Sequence, residues 1–318
     1  MPMTPMFHVH AWGFPYAATL AGLKQVYPGR YSAEGLARLI SKEGVTLSHC
    51  VPTVLRMLLD HSGDAEPNLS GLSVVVGGSA LTASLAEAAT QRGIDVFCGY
   101  GMSESCPLLS ISLDHDHSAS DDVPSHRTKA GQPIPLVYLE LMDDNGAFVP
   151  KDGIATGEIV ARAPWLTESY LGDHAASEML WEGGYLHTRD IGRLAPDSRL
   201  TITDRLKDVI KSGGEWISSL ELEEEIGAHP DVAEVCVVGM PDDIWGERAV
   251  PVVVRRPGKI VSEAAIITLL SKRVTRGELA RLALPRRVIF RTEIPKTSVG
   301  KPDKKALRSM LEQPETLA

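Results

Sequence analysis

Two short apolar runs end directly in glycines: VVVGGSAL at 74–81 and FCGYGMSES at 97–105. Runs so short and so rich in β-branched residues suit strands buried on both faces. Between them, LTASLAEAATQRG reads as a helix ended by Gly93. Ahead of them, Ser32 caps a helix pattern reaching about Lys42, with Leu36, Leu39 and Ile40 on one face. VTLSHCVP then reads as a buried strand and TVLRMLLDH as a short helix. Such alternation builds βαβ units, so a mostly parallel sheet is expected. Ligands in these sheets bind beyond the carboxyl ends of strands, which is where both glycine turns fall. Tyr100 offers a flat face for stacking, Ser103 a hydroxyl, and Glu104 a carboxylate suited to a hard cation such as Mg²⁺. Ser103 and Glu104 also suit a helix cap in an ordinary strand–helix turn.

The pattern changes from about Gly131. VYLELMD, TGEIVARA, DIGRLAPD and RLTITD are short alternating strands, so a β-rich subdomain is expected. After Lys207 an acidic helix (SLELEEEIGAHP), two strands, a helix, a strand and a last helix suggest a small α+β domain. The fold class is therefore α/β plus a β-rich subdomain, followed by a small α+β C-terminal domain, with the division at 1–206 and 207–318.

A net charge of −9 with a pI near 5.6 argues against a basic face reading nucleic-acid phosphates. It leaves room for one anion in a local positive pocket. Cys50, Cys98, Cys106 and Cys236 are solitary, as in a reducing compartment, and form no CxxC pair for zinc. No apolar run of about 18 residues, the length of a membrane span, occurs. No signal peptide or organelle address is evident, so a cytoplasmic location is expected. DHDHSASDDVPSHR reads as a solvated loop, since its histidines fit no defined metal spacing.

Three further stretches carry chemistry. GYLHTRDIG (184–192) places Asp190 where a carboxylate can take ribose hydroxyls. TDRLKDVIKSGGEWIS (203–218) joins charge to a flexible Gly-Gly step at the junction of the two domains. PKTSVGKPDK (295–304) presents a lysine on a tip, although a solvated basic face fits it as well.

YGMSE (100–104), GYLHTRDIG, TDRLKDVIKSGGEWIS and PKTSVGKPDK occur here in the order and spacing of one superfamily. Together they resemble the adenylate-forming enzymes, which include acyl-CoA synthetases, nonribosomal peptide adenylation domains and firefly luciferase. FHVHAWGFPY (7–16) and the Gly157–Glu158 pair agree with this, and the resemblance covers nearly the whole chain. MFHVHAWGFPY and GYGMSESCP are most similar to medium- and long-chain fatty acyl-CoA ligases.

The resemblance implies a two-step reaction on a carboxylic acid, ATP and coenzyme A. A carboxylate oxygen attacks the α-phosphorus of ATP, and pyrophosphate leaves. The coenzyme A thiol then attacks the acyl carbon, and AMP leaves. By the same resemblance Glu104 holds Mg²⁺ and Ser103 touches phosphate, while Gly78, Ser79, Gly99, Tyr100 and Gly101 frame the nucleotide. Asp190 takes the ribose hydroxyls, Arg205 reaches ribose or phosphate, and Lys301 polarises the carboxylate and α-phosphate. His8 stands at the mouth of the acyl site, to which Trp12 and Gly13 contribute; a structural histidine is the other reading of His8. Lys207 is the hinge on which the C-terminal domain turns between steps. Lys211, Ser212, Gly213, Gly214 and Glu215 then line the pantetheine tunnel.

The family's phosphate loop, of the form TSGTTGxPKG, does not occur in this chain; it would lie upstream of FHVH. A fragment or truncated form is therefore expected, with uncovered apolar faces that favour self-association into a homo-oligomer. A carrier-loading adenylation domain and a non-catalytic AMP- or acyl-adenylate-binding remnant are the alternatives.

Overall fold

The computed structural model describes residues 1–61, 68–113, 127–296 and 302–312. The chain divides into two compact units. One comprises Met1–Thr188 with Gly192–Ile202, and the other Arg189–Ile191 with Thr203–Ala318. The second unit thus takes in a short piece at Arg189–Ile191 besides the continuous stretch from Thr203.

In the first unit, β1 (Leu47–Cys50), β2 (Ser73–Val76) and β3 (Asp95–Tyr100) pair in parallel. Helices α1 (Val9–Trp12), α2 (Phe14–Leu20), α3 (Ala33–Glu43), α4 (Pro52–Leu59) and α5 (Ala83–Gln91) accompany them. Local chemistry sets the helix starts. Ser32 Oγ accepts from Gly35 N at α3, Thr82 Oγ1 accepts from Leu85 N at α5, and Pro52 opens α4. Val74, Val76 and Val96 are fully buried between Leu36 and Ile40 of α3, Leu55 and Leu58 of α4, and Leu85 of α5. The β-branched runs are therefore covered, as a parallel sheet requires. Strands β4 (Ser110–Ile111) and β5 (Gln132–Pro133) extend the sheet antiparallel, in the order β1-β2-β3-β4-β5.

A second sheet has the order β6 (Tyr138–Met142), β7 (Gly157–Arg162), β8 (Leu186–Leu194) and β9 (Leu200–Arg205). Its core, with Leu141, Ile159, Leu186 and Leu200, also takes in Tyr100 and Leu109. Strand β8 starts at Leu186, earlier than the DIGRLAPD segment indicates. Helix α6 (His174–Leu180), capped by Asp173, was not expected; Leu180 is its single buried residue.

The second unit is built on the sheet β11 (Glu215–Ile217), β10 (Ile210–Ser212), β13 (Gly246–Arg255) and β12 (Val232–Asp242). Strand β14 (Ile289–Arg291) runs parallel to β13. Strand β12 sorts its side chains by alternation. Val237 packs with Leu222 and Ile226 of α7 (Ser219–Gly227) and Leu270 of α8 (Glu263–Thr275). Cys236, Val238 and Met240 pack with Leu307 of α9 (Lys304–Glu312). No described helix is long and apolar enough to cross a membrane. The loop DHDHSASDDVPSHR lies outside the described residues except for Arg127.

Candidate active site

The segment past β3 folds back sharply. A Cβ on Gly101 would lie 1.8 Å from the Pro107 carbonyl oxygen, so no side chain fits there. Ser105 organises the turn: its hydroxyl accepts from Met102 N (2.9 Å) and donates to Pro107 O (2.7 Å). This leaves Ser103 exposed and Glu104 partly exposed in a single 3₁₀ turn. The Glu104 carbonyl accepts from Thr167 N (2.9 Å), and Oε1 of its carboxylate accepts from the Tyr170 hydroxyl (2.6 Å). Tyr100, expected to stack on a base, is 7% exposed and belongs mostly to the core.

The two glycine turns touch. A Cβ on Gly77 would come within 2.8 Å of the Gly99 carbonyl oxygen and 3.1 Å of the Trp12 ring. Gly77 thus does the close packing, while Gly78 (φ +78°) and Ser79 are exposed beyond it. On Gly99 a Cβ would meet Val75 at 3.0 Å. His8 is exposed. The histidine built into this region is His49 on β1, fully buried, with Nδ1 3.0 Å from Thr4 Oγ1. Its ring centroid lies 4.2 Å from Phe14 and 4.8 Å from Trp12. Burial pushes its pKa down to about 3, so the ring is neutral. Sequence reasoning missed Gly77, Ser105, Tyr170 and His49; the double glycine at 77–78 was the one local signal.

In the second unit, Arg205 Nε lies 3.5 Å from Asp190 Oδ1, which brings together the two residues read as ribose and phosphate contacts. Arg189, beside Asp190, has a left-handed φ of +60°, an uncommon strained state for a non-glycine residue. Buried Asp204 accepts from the Ser219 amide and hydroxyl, both at 2.6 Å. The Ser219 hydroxyl in turn accepts from Lys304 Nζ (2.5 Å), which also pairs with Glu223 (2.9 Å). Burial raises the Glu223 pKa, and Lys304 opposes that rise. Exposed Lys207 sits in the following turn; its carbonyl accepts from Arg308 (3.2 Å), which also pairs with Asp208 (2.7 Å).

The KSGGE stretch is a hairpin. β10 and β11 pair antiparallel, and Gly213 (φ +59°) and Gly214 (φ +84°) form the two-residue turn. Left-handed backbone at both central positions is what the favoured hairpin turn demands. The space beside Gly213 is filled. A Cβ there would come within 2.8 Å of both Trp245 and Leu282, whereas Gly214 faces open space. Lys211 stacks over Trp216 at 5.0 Å, Ser212 is fully buried, and Glu215 is exposed. Lys301 lies outside the described residues, between Lys296 and Pro302, which form an antiparallel bridge.

Among the described residues no cluster of three or more His, Cys, Asp or Glu could hold a metal. A lone carboxylate such as Glu104 instead fits Mg²⁺, which typically takes one or two carboxylates plus substrate phosphates.

A parallel sheet with glycine turns at its strand ends and one presented carboxylate is a setting in which α/β folds bind ligands. The chain belongs to the AMP-binding enzyme family, which residues 1–171 match; residues 221–301 match that family's C-terminal domain. It is 42% identical over 314 residues to a long-chain-fatty-acid–CoA ligase of Thermus thermophilus, covering 97% of this chain and 57% of the relative. It is 37% identical to a 3-methylmercaptopropionyl-CoA ligase of Ruegeria lacuscaerulensis, covering 97% of this chain and again 57% of the relative. An o-succinylbenzoate-CoA synthetase from Bacillus subtilis, solved with its acyl-adenylate, superposes with a TM-score of 0.80. That match has 26% identity and covers 98% of this chain and 60% of the other. The chain thus spans under two thirds of the length of these relatives.

Proposed function

We propose that the chain serves an ATP-dependent fatty acid–CoA ligase, forming an acyl-adenylate and then an acyl-CoA thioester. The observation that carries this reading is Glu104, presented past the carboxyl end of β3 by a turn that Gly101 and Ser105 shape. Its family supports adenylate chemistry, and its relatives' names support coenzyme A as acyl acceptor.

In the first step the α-phosphate gathers negative charge that placed groups must offset. Glu104 would hold Mg²⁺, with Ser103 beside it. Bound Mg²⁺ supplies positive charge against the phosphate oxygens. Asp190 accepts from the ribose hydroxyls, Arg205 steadies ribose or phosphate, and Lys301 polarises the carboxylate and α-phosphate. Lys207 is the hinge separating domains 1–206 and 207–318, and the 211–215 hairpin borders the thiol path. His8 serves the acyl mouth. The protein acts on small molecules in the cytoplasm, and its exposed apolar side chains near the start, among them Phe7 and Leu20, favour self-association.

The test supplies dodecanoate labelled with ¹⁸O in its carboxylate, together with ATP, Mg²⁺ and coenzyme A. AMP carrying one labelled oxygen is expected, because the attacking carboxylate oxygen stays on phosphorus when the thiol displaces AMP. Unlabelled AMP, or ADP as product, would sink the proposal.

A further inference from the structure

Glu104 does not stand alone in the first unit. Residues 167–170 form a strap that grips it twice: Thr167 N donates to its carbonyl (2.9 Å), and the Tyr170 hydroxyl donates to Oε1 of its carboxylate (2.6 Å). The strap is itself tied down. The Trp181 indole N–H donates to Thr167 O (3.0 Å), and Tyr170 N donates to Ser177 Oγ on α6 (2.9 Å). The Ser177 hydroxyl in turn donates to Asp173 O (2.6 Å), on the residue that caps α6. A partly exposed glutamate would otherwise sample several side-chain rotamers. A phenol held at hydrogen-bond distance selects one, and a donor to an ionised acceptor makes one of the stronger hydrogen bonds. It engages one carboxylate oxygen of two, which is compatible with a single metal contact through the other.

We infer that Tyr170 is a positioning residue for Glu104, pre-setting the carboxylate for the Mg²⁺ of a bound Mg²⁺–nucleotide. This rests on the nucleotide reading above. Tyr170 touches neither phosphate nor metal in this scheme; it acts through Glu104.

Calorimetric titration of ATP, with and without Mg²⁺, tests it in wild type, Tyr170→Phe, Glu104→Gln and the double variant. Phenylalanine keeps the ring, and a melting curve for each variant verifies folding. Wild type should bind ATP more tightly with Mg²⁺. Tyr170→Phe should lose most of that gain, roughly tenfold, as expected for one hydrogen bond to a charged group, while metal-free affinity stays unchanged. The double variant should lose no more than Glu104→Gln alone, since coupled residues are not additive. A full Mg²⁺ gain in Tyr170→Phe, or additive losses in the double variant, would overturn the inference. If wild type itself shows no Mg²⁺-dependent nucleotide binding, the nucleotide reading fails first, and this role with it.

Discussion

His49 shows how one residue couples packing to pH. Its imidazole is fully buried against Phe14 and Trp12, and Nε2 has no hydrogen-bond partner among the described residues. Burial holds its pKa near 3 in the fold, against 6.5 for the free group. Between these values the unfolded chain binds the extra proton, so stability is full above pH 6.5 and is lost as pH falls toward 3. The slope approaches about 1.4 kcal/mol per pH unit at most. Melting midpoints should therefore drop from pH 7 to pH 5, and His49→Gln should flatten that drop. An unchanged slope in the variant would show that other groups carry it. Nothing local marks this histidine: His8 is singled out by its motif, whereas the burial of His49 comes from Phe14 and Trp12, far from it in sequence.

The 210–217 hairpin makes the same point for an element. Its two glycines share left-handed backbone, but only Gly213 is walled in, by Trp245 and Leu282. Gly214→Ala should cost about 1–2 kcal/mol from backbone strain alone. Gly213→Ala should add roughly 1–3 kcal/mol of overpacking, so its urea midpoint should fall further. Equal losses would contradict the packing.

Legibility followed the reach of the interaction. The strands β1 to β3 and helices α3 to α5 were readable because β-branched runs, Ser32, Pro52 and Thr82 act within a few residues. Helix α6 was not, because its single buried residue leaves no apolar stripe. The hairpin was not, because its register also depends on contacts from Gly213 to Trp245 and from Lys211 to Glu247. Glu104 was found by motif. Its partner Tyr170, 66 residues away, had no local signal.

For the whole molecule, two compact units each carry part of the motif set. Glu104, Ser103 and the glycine turns fall in the first; Asp190, Arg205, Lys207 and the 211–215 hairpin fall in the second. Family membership holds along both. The most direct measurement offers dodecanoyl-adenylate and coenzyme A to the protein and follows both products by mass spectrometry. Dodecanoyl-CoA and AMP should appear in equal amounts, far faster than without protein. Hydrolysis of the adenylate at its rate in water, with coenzyme A left unacylated, would contradict the account.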